Sequence, residues 1–258
     1  MTLPASYDHL ASAWETGAGR VYRPLAHALV ASSPVPLQGR RVLDAGCGTG
    51  MVAAAAAGAG ASVTALDRSL GMLRTVSGAG PRITGDVTAL PLRPASFDAV
   101  LAGFVVNHLP ATQALASLAQ VVRPGGAVLA TTWAKGPDEV KTAFDAVAVA
   151  RGWVRPEWYL EMKNELDPVS GSPDLLAAAA ADAGLVDVTA VSRHCDLGFL
   201  RAENAVAYRM AVPHVAPWVA TLASRERSAL VEQATSAVAP FVDGWRPAVV
   251  FLAAFTSR

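Results

Sequence analysis

The chain has 258 residues, 52% of them hydrophobic and 16% charged, and its Lys plus Arg balance its Asp plus Glu to a formal net charge of zero. This length and composition suit one domain with a modest cap and exclude a disordered chain. The charge balance leaves no basic stripe for nucleic acid, and apolar runs such as 248–255 are too short to span a bilayer.

The N-terminus has no basic segment followed by an apolar one, so no signal peptide is expected. The two cysteines, Cys47 and Cys195, lie far apart in sequence, which argues against a disulfide framework and for a reducing cytoplasm. Two short helical stretches are expected first. Ser6 caps one that carries Tyr7, Leu10 and Trp14. In the other, Val21, Leu25, Ala28 and Leu29 recur at helical spacing before Pro34 and Pro36 end it. From Arg40 onward strands and helices alternate. Strands are expected at Arg41–Ala45, 62–66 ending at Asp67, Arg82–Thr84 ending near Asp86, 99–102 and 127–132.

A helix after His108 opens at Pro110, places Leu115, Leu118 and Val122 on one stripe, and stops in the turn Arg123-Pro-Gly-Gly126. Alternation over this length predicts a parallel, doubly wound sheet. Residues 135–171 read as irregular. A helix follows with Ser172 as cap, Pro173 first and Gly184 as stop. A strand is expected at 186–191 and an inserted segment at 196–218. A helix from about Ser224 puts Leu230, Ala234, Val238 and Phe241 on one face, and a last strand covers 249–255.

The chemistry concentrates in Asp44-Ala-Gly46-Cys47-Gly48-Thr-Gly50, between the first strand and the Ala-rich helical run 51–57. Strand, glycine turn and helix bring backbone close to a ligand, because glycine leaves the space a Cβ would fill. The dinucleotide fingerprint needs a third glycine where Met51 stands, and the phosphate loop needs a Lys that does not follow Gly50. Asp67, at the end of the second strand, suits both hydroxyls of a ribose. Asp86 and Val87, near the end of the third strand, add a carboxylate and a backbone amide at the same sheet edge, and Asp44 adds a carboxylate at the end of the first. Each acid has a second reading as a helix or turn cap.

This set resembles motif I of the class I methyltransferases that use S-adenosylmethionine (SAM), in the wording of their small-molecule branch. Phe97-Asp98-Ala-Val-Leu and Val121-Val-Arg-Pro-Gly-Gly126 extend the resemblance over 40–133, and the lead-in 7–14 extends it more loosely. It implies an α/β fold: a Rossmann-like, doubly wound sheet of seven strands, five parallel plus a C-terminal pair whose last strand is antiparallel, with N-terminal helices and inserted cap segments. The organisation it implies is a helical cap at 1–38, a SAM-binding core at 39–134 and a lid or substrate segment at 135–172. Residues 173–258 then complete the sheet around a helical insertion at about 196–243.

SAM is the implied cofactor and S-adenosylhomocysteine (SAH) the product, with no metal. The implied cofactor contacts are Asp44, Gly46, Cys47, Gly48, Gly50, Asp67, Asp86 and Val87. Arg68 and Met72 join them after the second strand, and Ala102 and Phe104 at the end of the fourth. Cys47 then reads as a small residue in a tight turn. His108 either faces the substrate as a base or caps the next helix. Tyr7 or Tyr22 either covers the methyl group or packs the cap. Arg20 or Arg23 either meets the SAM carboxylate or is solvated, and His27, His194 and His214 read as structural. Trp153, Trp158, Tyr159, Phe199, Tyr208 and Trp218 either form an aromatic substrate lid or pack the insertions onto the core.

These features predict methyl transfer to a C, O or N atom of a small, apolar or aromatic metabolite. Relatives of this wording serve ubiquinone and menaquinone biosynthesis or bacterial secondary metabolism. The segment after strand four, Ala102-Gly-Phe-Val-Val-Asn-His-Leu109, lacks the Pro-Pro of nucleic-acid amine methyltransferases, so no nucleic-acid partner is expected. A SAM-binding protein without catalysis is an alternative. A nicotinamide-dependent oxidoreductase is another, disfavoured by Met51 and Asp86. The oligomeric state stays open.

Overall fold

The computed structural model describes residues 7, 10–198 and 201–258; Ser6 and Phe199, read above as a cap and a lid ring, lie outside them. Seven strands form one sheet in the order β3-β2-β1-β4-β5-β7-β6. They are β1 (Arg41–Ala45), β2 (Ser62–Asp67), β3 (Arg82–Thr84), β4 (Phe97–Gly103), β5 (Val122–Trp133), β6 (Leu185–His194) and β7 (Ala248–Thr256). β1 to β5 pair in parallel, while β7 runs antiparallel to both β5 and β6. This is the predicted doubly wound sheet with a reversed last strand. The order turns outward in both directions from β1 and β4, and the crevice beyond the carboxyl ends of those strands is where open α/β sheets bind ligands.

The central strands are apolar on both faces, as helices on each side require. Leu43, Val100 and Val128 belong to one buried layer, and Val42, Leu101 and Leu129 to the other. Helices α3 (Met51–Gly58), α4 (Leu70–Thr75), α5 (Ala111–Val121) and α9 (Pro173–Asp182) cover the sheet. α9 keeps its expected signals: the Ser172 hydroxyl accepts from Leu175 N–H at 3.4 Å, and Gly184 turns the chain at φ +82°.

Several elements depart from expectation. The two N-terminal stretches join into one run: α1 (Ala11–Ala13), a π-helical turn at Trp14–Ala18 and α2 (Gly19–Ala31). Val21, Leu25 and Leu29 are wholly buried along α2, each contributing roughly 1.5–3 kcal/mol. Arg123-Pro-Gly-Gly126 is not a free turn but the start of β5. The β4–β5 register jumps from Phe97↔Val122 to Ala99↔Ala127, and Gly125 at φ +70° takes up the extra residues as a bulge. The segment read as irregular carries α6 (Glu139–Ala150), α7 (Glu157–Glu165) and α8 (Asp167–Ser170), with Asp138 capping α6 through Lys141 N–H at 2.9 Å. Between β6 and β7 come α10 (Ala202–Ala211), α11 (Ala216–Thr221) and α12 (Ser224–Val242). Leu230, Ala234 and Val238 are buried along α12, but Phe241 is exposed, because it lies beyond Pro240 at the end of the helix.

α2, α6, α10 and α12 share a second apolar core with the end of the sheet, including Leu25, Phe144, Tyr208 and Phe251. Gly17 lets the chain approach α10: a Cβ there would meet the Ala207 carbonyl oxygen at 2.6 Å. Among the described residues no helix is long and apolar enough to cross a membrane.

Candidate active site

A cleft opens beyond the carboxyl ends of β1, β2 and β4. Its floor is the glycine turn. Gly46 and Cys47 donate their N–H groups to Leu66 O at 2.8 and 2.9 Å, tying the end of β1 to β2. Gly46 has φ +70°, and a Cβ on it would lie 2.5 Å from Val105 Cγ2, so both backbone and packing demand glycine there. Asp67 fixes the next residue, its Oδ2 accepting from Gly48 N–H at 2.8 Å and its Oδ1 from Ser69 N–H at 2.8 Å. Burial still raises the Asp67 pKa, against the pull of those bonds.

Asp44 sits behind the turn, 1% exposed. Its Oδ2 accepts from Ala53 N–H in the first turn of α3 at 2.7 Å, while Oδ1 is buried without a partner among the described residues. Burial pushes its pKa up to about 8. Asp86 is the opposite case. It is exposed, and the Thr88 hydroxyl (2.7 Å) and N–H (2.8 Å) hold its pKa below the usual carboxylate range. Beside it, Val87 is buried against the cleft wall.

Aromatic rings close the other side. Tyr22 stacks on Trp14 (centroids 4.9 Å, interplanar angle 22°) and meets Phe104 edge-on at 5.1 Å. Tyr7 lies 6.2 Å from Trp14. Phe104 occupies a left-handed conformation, φ +57°, as β4 turns into the 3-10 helix Val106–His108. Such a conformation costs a non-glycine residue of order 1–3 kcal/mol and concentrates at ligand sites. His108 lines the cleft with its Nδ1 3.1 Å from Met162 Sδ on α7. Burial first, and Lys163 second, lower its pKa to about 4, so the imidazole is neutral at pH 7.

Residues 43–130 match the family model described as a methyltransferase domain. The demethylmenaquinone methyltransferase of Renibacterium salmoninarum is 33% identical over 196 residues, covering 71% of this chain and 80% of that protein. The chain belongs to the SAM-dependent methyltransferase family. A malonyl-[acyl-carrier protein] O-methyltransferase of Pseudescherichia vulneris is 46% identical over 113 residues, but the match spans 41% of this chain and 44% of its relative. Among solved structures, phosphoethanolamine N-methyltransferase 2 of Haemonchus contortus, in complex with S-adenosyl-L-methionine, shares the fold. Its TM-score is 0.60 at 18% identity, over 97% of this chain and 57% of that one.

The cleft brings together most of the residues singled out from sequence. Gly46, Cys47, Gly48, Asp67, Arg68 and Met72 line one wall, and Asp86 and Val87 another. Phe104, His108, Tyr7 and Tyr22 line the remainder. Asp44, Gly50 and Ala102 do not line it. They stand behind the wall, Gly50 opening α3 at φ +89° and Ala102 wholly buried in β4. No side-chain cap is made on α5, so the capping reading of His108 is not what the structure shows.

None of Trp153, Trp158, Tyr159, Tyr208 or Trp218 lines the cleft. They build the cap: Trp153 Nε1 donates to His214 O at 3.1 Å, and Tyr159 stacks on His214 at 3.8 Å. The rings facing the cleft come from the N-terminal helix and β4 instead. Arg23 pairs with Glu15 at 2.6 Å, and Glu15 also accepts from Thr49 Oγ1 in the glycine turn at 2.9 Å. Glu15 thus straps the N-terminal helical run to the glycine turn, and the sequence signal for it is an acid and a base eight residues apart on that run.

Proposed function

We propose that this chain transfers a methyl group from SAM to a C, O or N atom of a small, apolar or aromatic acceptor. The observation that carries the reading is Asp67. Its carboxylate is tied to the glycine turn and to Ser69, yet burial raises its pKa against those bonds and against the charge of Arg68 beside it. A ligand bearing ribose hydroxyls and positive charge fits that demand. Asp67 would take the ribose, Asp86 and the Val87 amide the adenine edge, and the Gly46–Cys47–Gly48 backbone the chain between. Asp44, behind the wall, would meet the amino group through a water at its unpartnered Oδ1, and Arg68, Met72, Gly50, Ala102 and Phe104 would shape the surround.

When bound, SAM supplies a methyl group already activated on a sulfonium, so the protein's task is alignment and exclusion of water. Tyr22, Trp14 and Phe104 exclude water from one side, and Tyr7 closes over the donor. The neutral His108 imidazole accepts a proton from a hydroxyl or an acidic carbon of the acceptor. Zero net charge supports a small-molecule acceptor over nucleic acid. Two buried, unpaired cysteines support a cytoplasmic setting.

Titration calorimetry tests the reading. SAM should bind the wild-type protein and NADH should not. Asp67→Ala should weaken SAM by roughly 1–3 kcal/mol, the loss of charge-assisted hydrogen bonds. Unchanged affinity in that variant would refute the ribose assignment. Tight SAM binding with no SAH released across a panel of phenols, quinols and amines would favour a binding protein without catalysis.

A further inference from the structure

Two threonines stand side by side near the carboxyl end of β5, and both are wholly buried. Neighbouring residues of a strand point to opposite faces of the sheet, so their hydroxyls meet different surroundings. The Thr132 hydroxyl donates to Ser170 O at 2.5 Å. The Thr131 hydroxyl has no partner among the described residues. Its backbone is nevertheless fixed. Thr131 pairs with Gly103 of β4 on one side and Phe251 of β7 on the other, and its carbonyl accepts from Phe104 N–H at 2.9 Å. Among the described residues, buried side-chain atoms without partners also occur on Asp44, Asn107, Arg209 and Thr235, but of these five residues only Thr131 lines the cleft.

The neighbours of that hydroxyl are apolar or aromatic. Gly103, beside it on β4, lies under Val52: a Cβ there would come within 2.8 Å of Val52 Cγ2. Phe104 follows, held at φ +57°, and meets Tyr22 edge-on. Val52, Phe104 and Tyr22 line the same cleft. A buried hydroxyl without a partner costs stability, and a ligand that supplies the missing hydrogen bond relieves the cost. Position separates Thr131 from the ribose group Asp67. In the order β2-β1-β4-β5 it lies three strand spacings from β2, about 14 Å at 4.7–4.9 Å each. The glycine turn after β1 stands between them, so Thr131 is on the acceptor's side of the turn.

We propose that the Thr131 hydroxyl determines acceptor specificity: it hydrogen-bonds a neutral oxygen, carbonyl or hydroxyl, on an aromatic acceptor whose ring lies against Phe104 and Tyr22. A hydroxyl both donates and accepts, so either kind of oxygen satisfies it. The flanking side chains are uncharged, and an ionised group placed among them would lie buried and unpaired. The inference rests on reading the cleft as the methyl-donor site.

The full chain saturated with SAH is tested by equilibrium dialysis against 1-naphthol and against 1-methylnaphthalene, in which a methyl group replaces the hydroxyl. The naphthol should bind at least about tenfold more tightly, because a site built around a buried polar group rejects the analogue that leaves it unpaired. Thr131→Val should abolish that preference, keep SAH affinity, and melt at or above the wild-type Tm. Thr131→Ser should retain the preference. A threonine with only a structural role would lower Tm on losing its hydroxyl and leave the probe ratio alone, which overturns the proposal. Equal affinity of the two probes for the wild type also overturns it, as does binding of neither probe to SAH-loaded protein. So does a preference that survives in Thr131→Val, or a loss of SAH affinity in that variant, which would give the hydroxyl to the donor. Should Thr131→Val fail to fold, Thr131→Ala removes the same hydroxyl and its probe ratio decides. Failure of the wild-type protein to take up SAH would sink the methyl-donor reading itself.

Discussion

Asp44 and Asp67 are two carboxylates that the fold has made reluctant to ionise. Asp44 is pushed to about 8 by burial, with Asp67 adding to the shift, and burial raises Asp67 in turn. A cation arriving beside them lowers both pKa values, so binding SAM near pH 7 should release protons. Calorimetry in two buffers of different ionisation enthalpy reads the number released. Zero release would mean that Asp44 is already ionised or that the ligand's charge lies elsewhere. His108 allows a test of the opposite kind. With a pKa near 4 it is unprotonated throughout the neutral range, so a turnover profile governed by it should lose activity only as pH falls toward about 4. His108→Ala should lower kcat and leave SAM affinity unchanged. An acid limb at the ordinary imidazole value, or a variant as active as wild type, would remove His108 from the chemistry.

At the scale of elements the glycine turn is as much a packing device as a ligand floor. Gly50 sits at φ +89° where α3 begins, and a Cβ there would lie 2.8 Å from Val76 Cγ1. Gly50→Ala should therefore cost about 1–3 kcal/mol of stability, read as a lower urea midpoint at unchanged slope. A midpoint equal to wild type would show that the turn relaxes freely. The parallel half of the sheet could be read directly, because β1, β2 and β4 are short apolar runs closed by Asp or Gly. The cap could not. Val140, Phe144 and Ala148 of α6 are spaced as one helical face and are wholly buried, yet the Pro and Gly residues flanking them made the segment read as irregular. Arg123-Pro-Gly-Gly126 failed for a different reason: its turn residues serve a bulge whose existence depends on pairing with a strand 25 positions earlier. Local chemistry named the kink but not the partner.

Across the whole molecule, the strand-end side of the cleft was legible because backbone geometry sets it, through Gly46, Asp67 and Asp86 at three neighbouring strand ends. The cap side was not. It depends on which cap side chains α6, α7 and α10 turn inward, and periodicity cannot distinguish a ring that packs the cap from one that faces a ligand. Tyr208 and Trp153 pack; Tyr22 faces the cleft. Because the cleft joins the N-terminal helix, the sheet and α7 through Met162, a ligand filling it should stabilise the molecule as one unit. A ligand that binds only the folded state adds RT ln(1 + [L]/Kd), about 2.7 kcal/mol at a hundredfold excess over Kd. For a chain of this length each kcal/mol raises Tm by roughly 2–4 °C, so saturating SAH should raise it by about 5–10 °C. NADH at the same concentration should leave Tm where it was. A scan in which SAH sharpens or shifts only part of a biphasic transition would show instead that cap and sheet unfold separately, and that the cleft belongs to one of them.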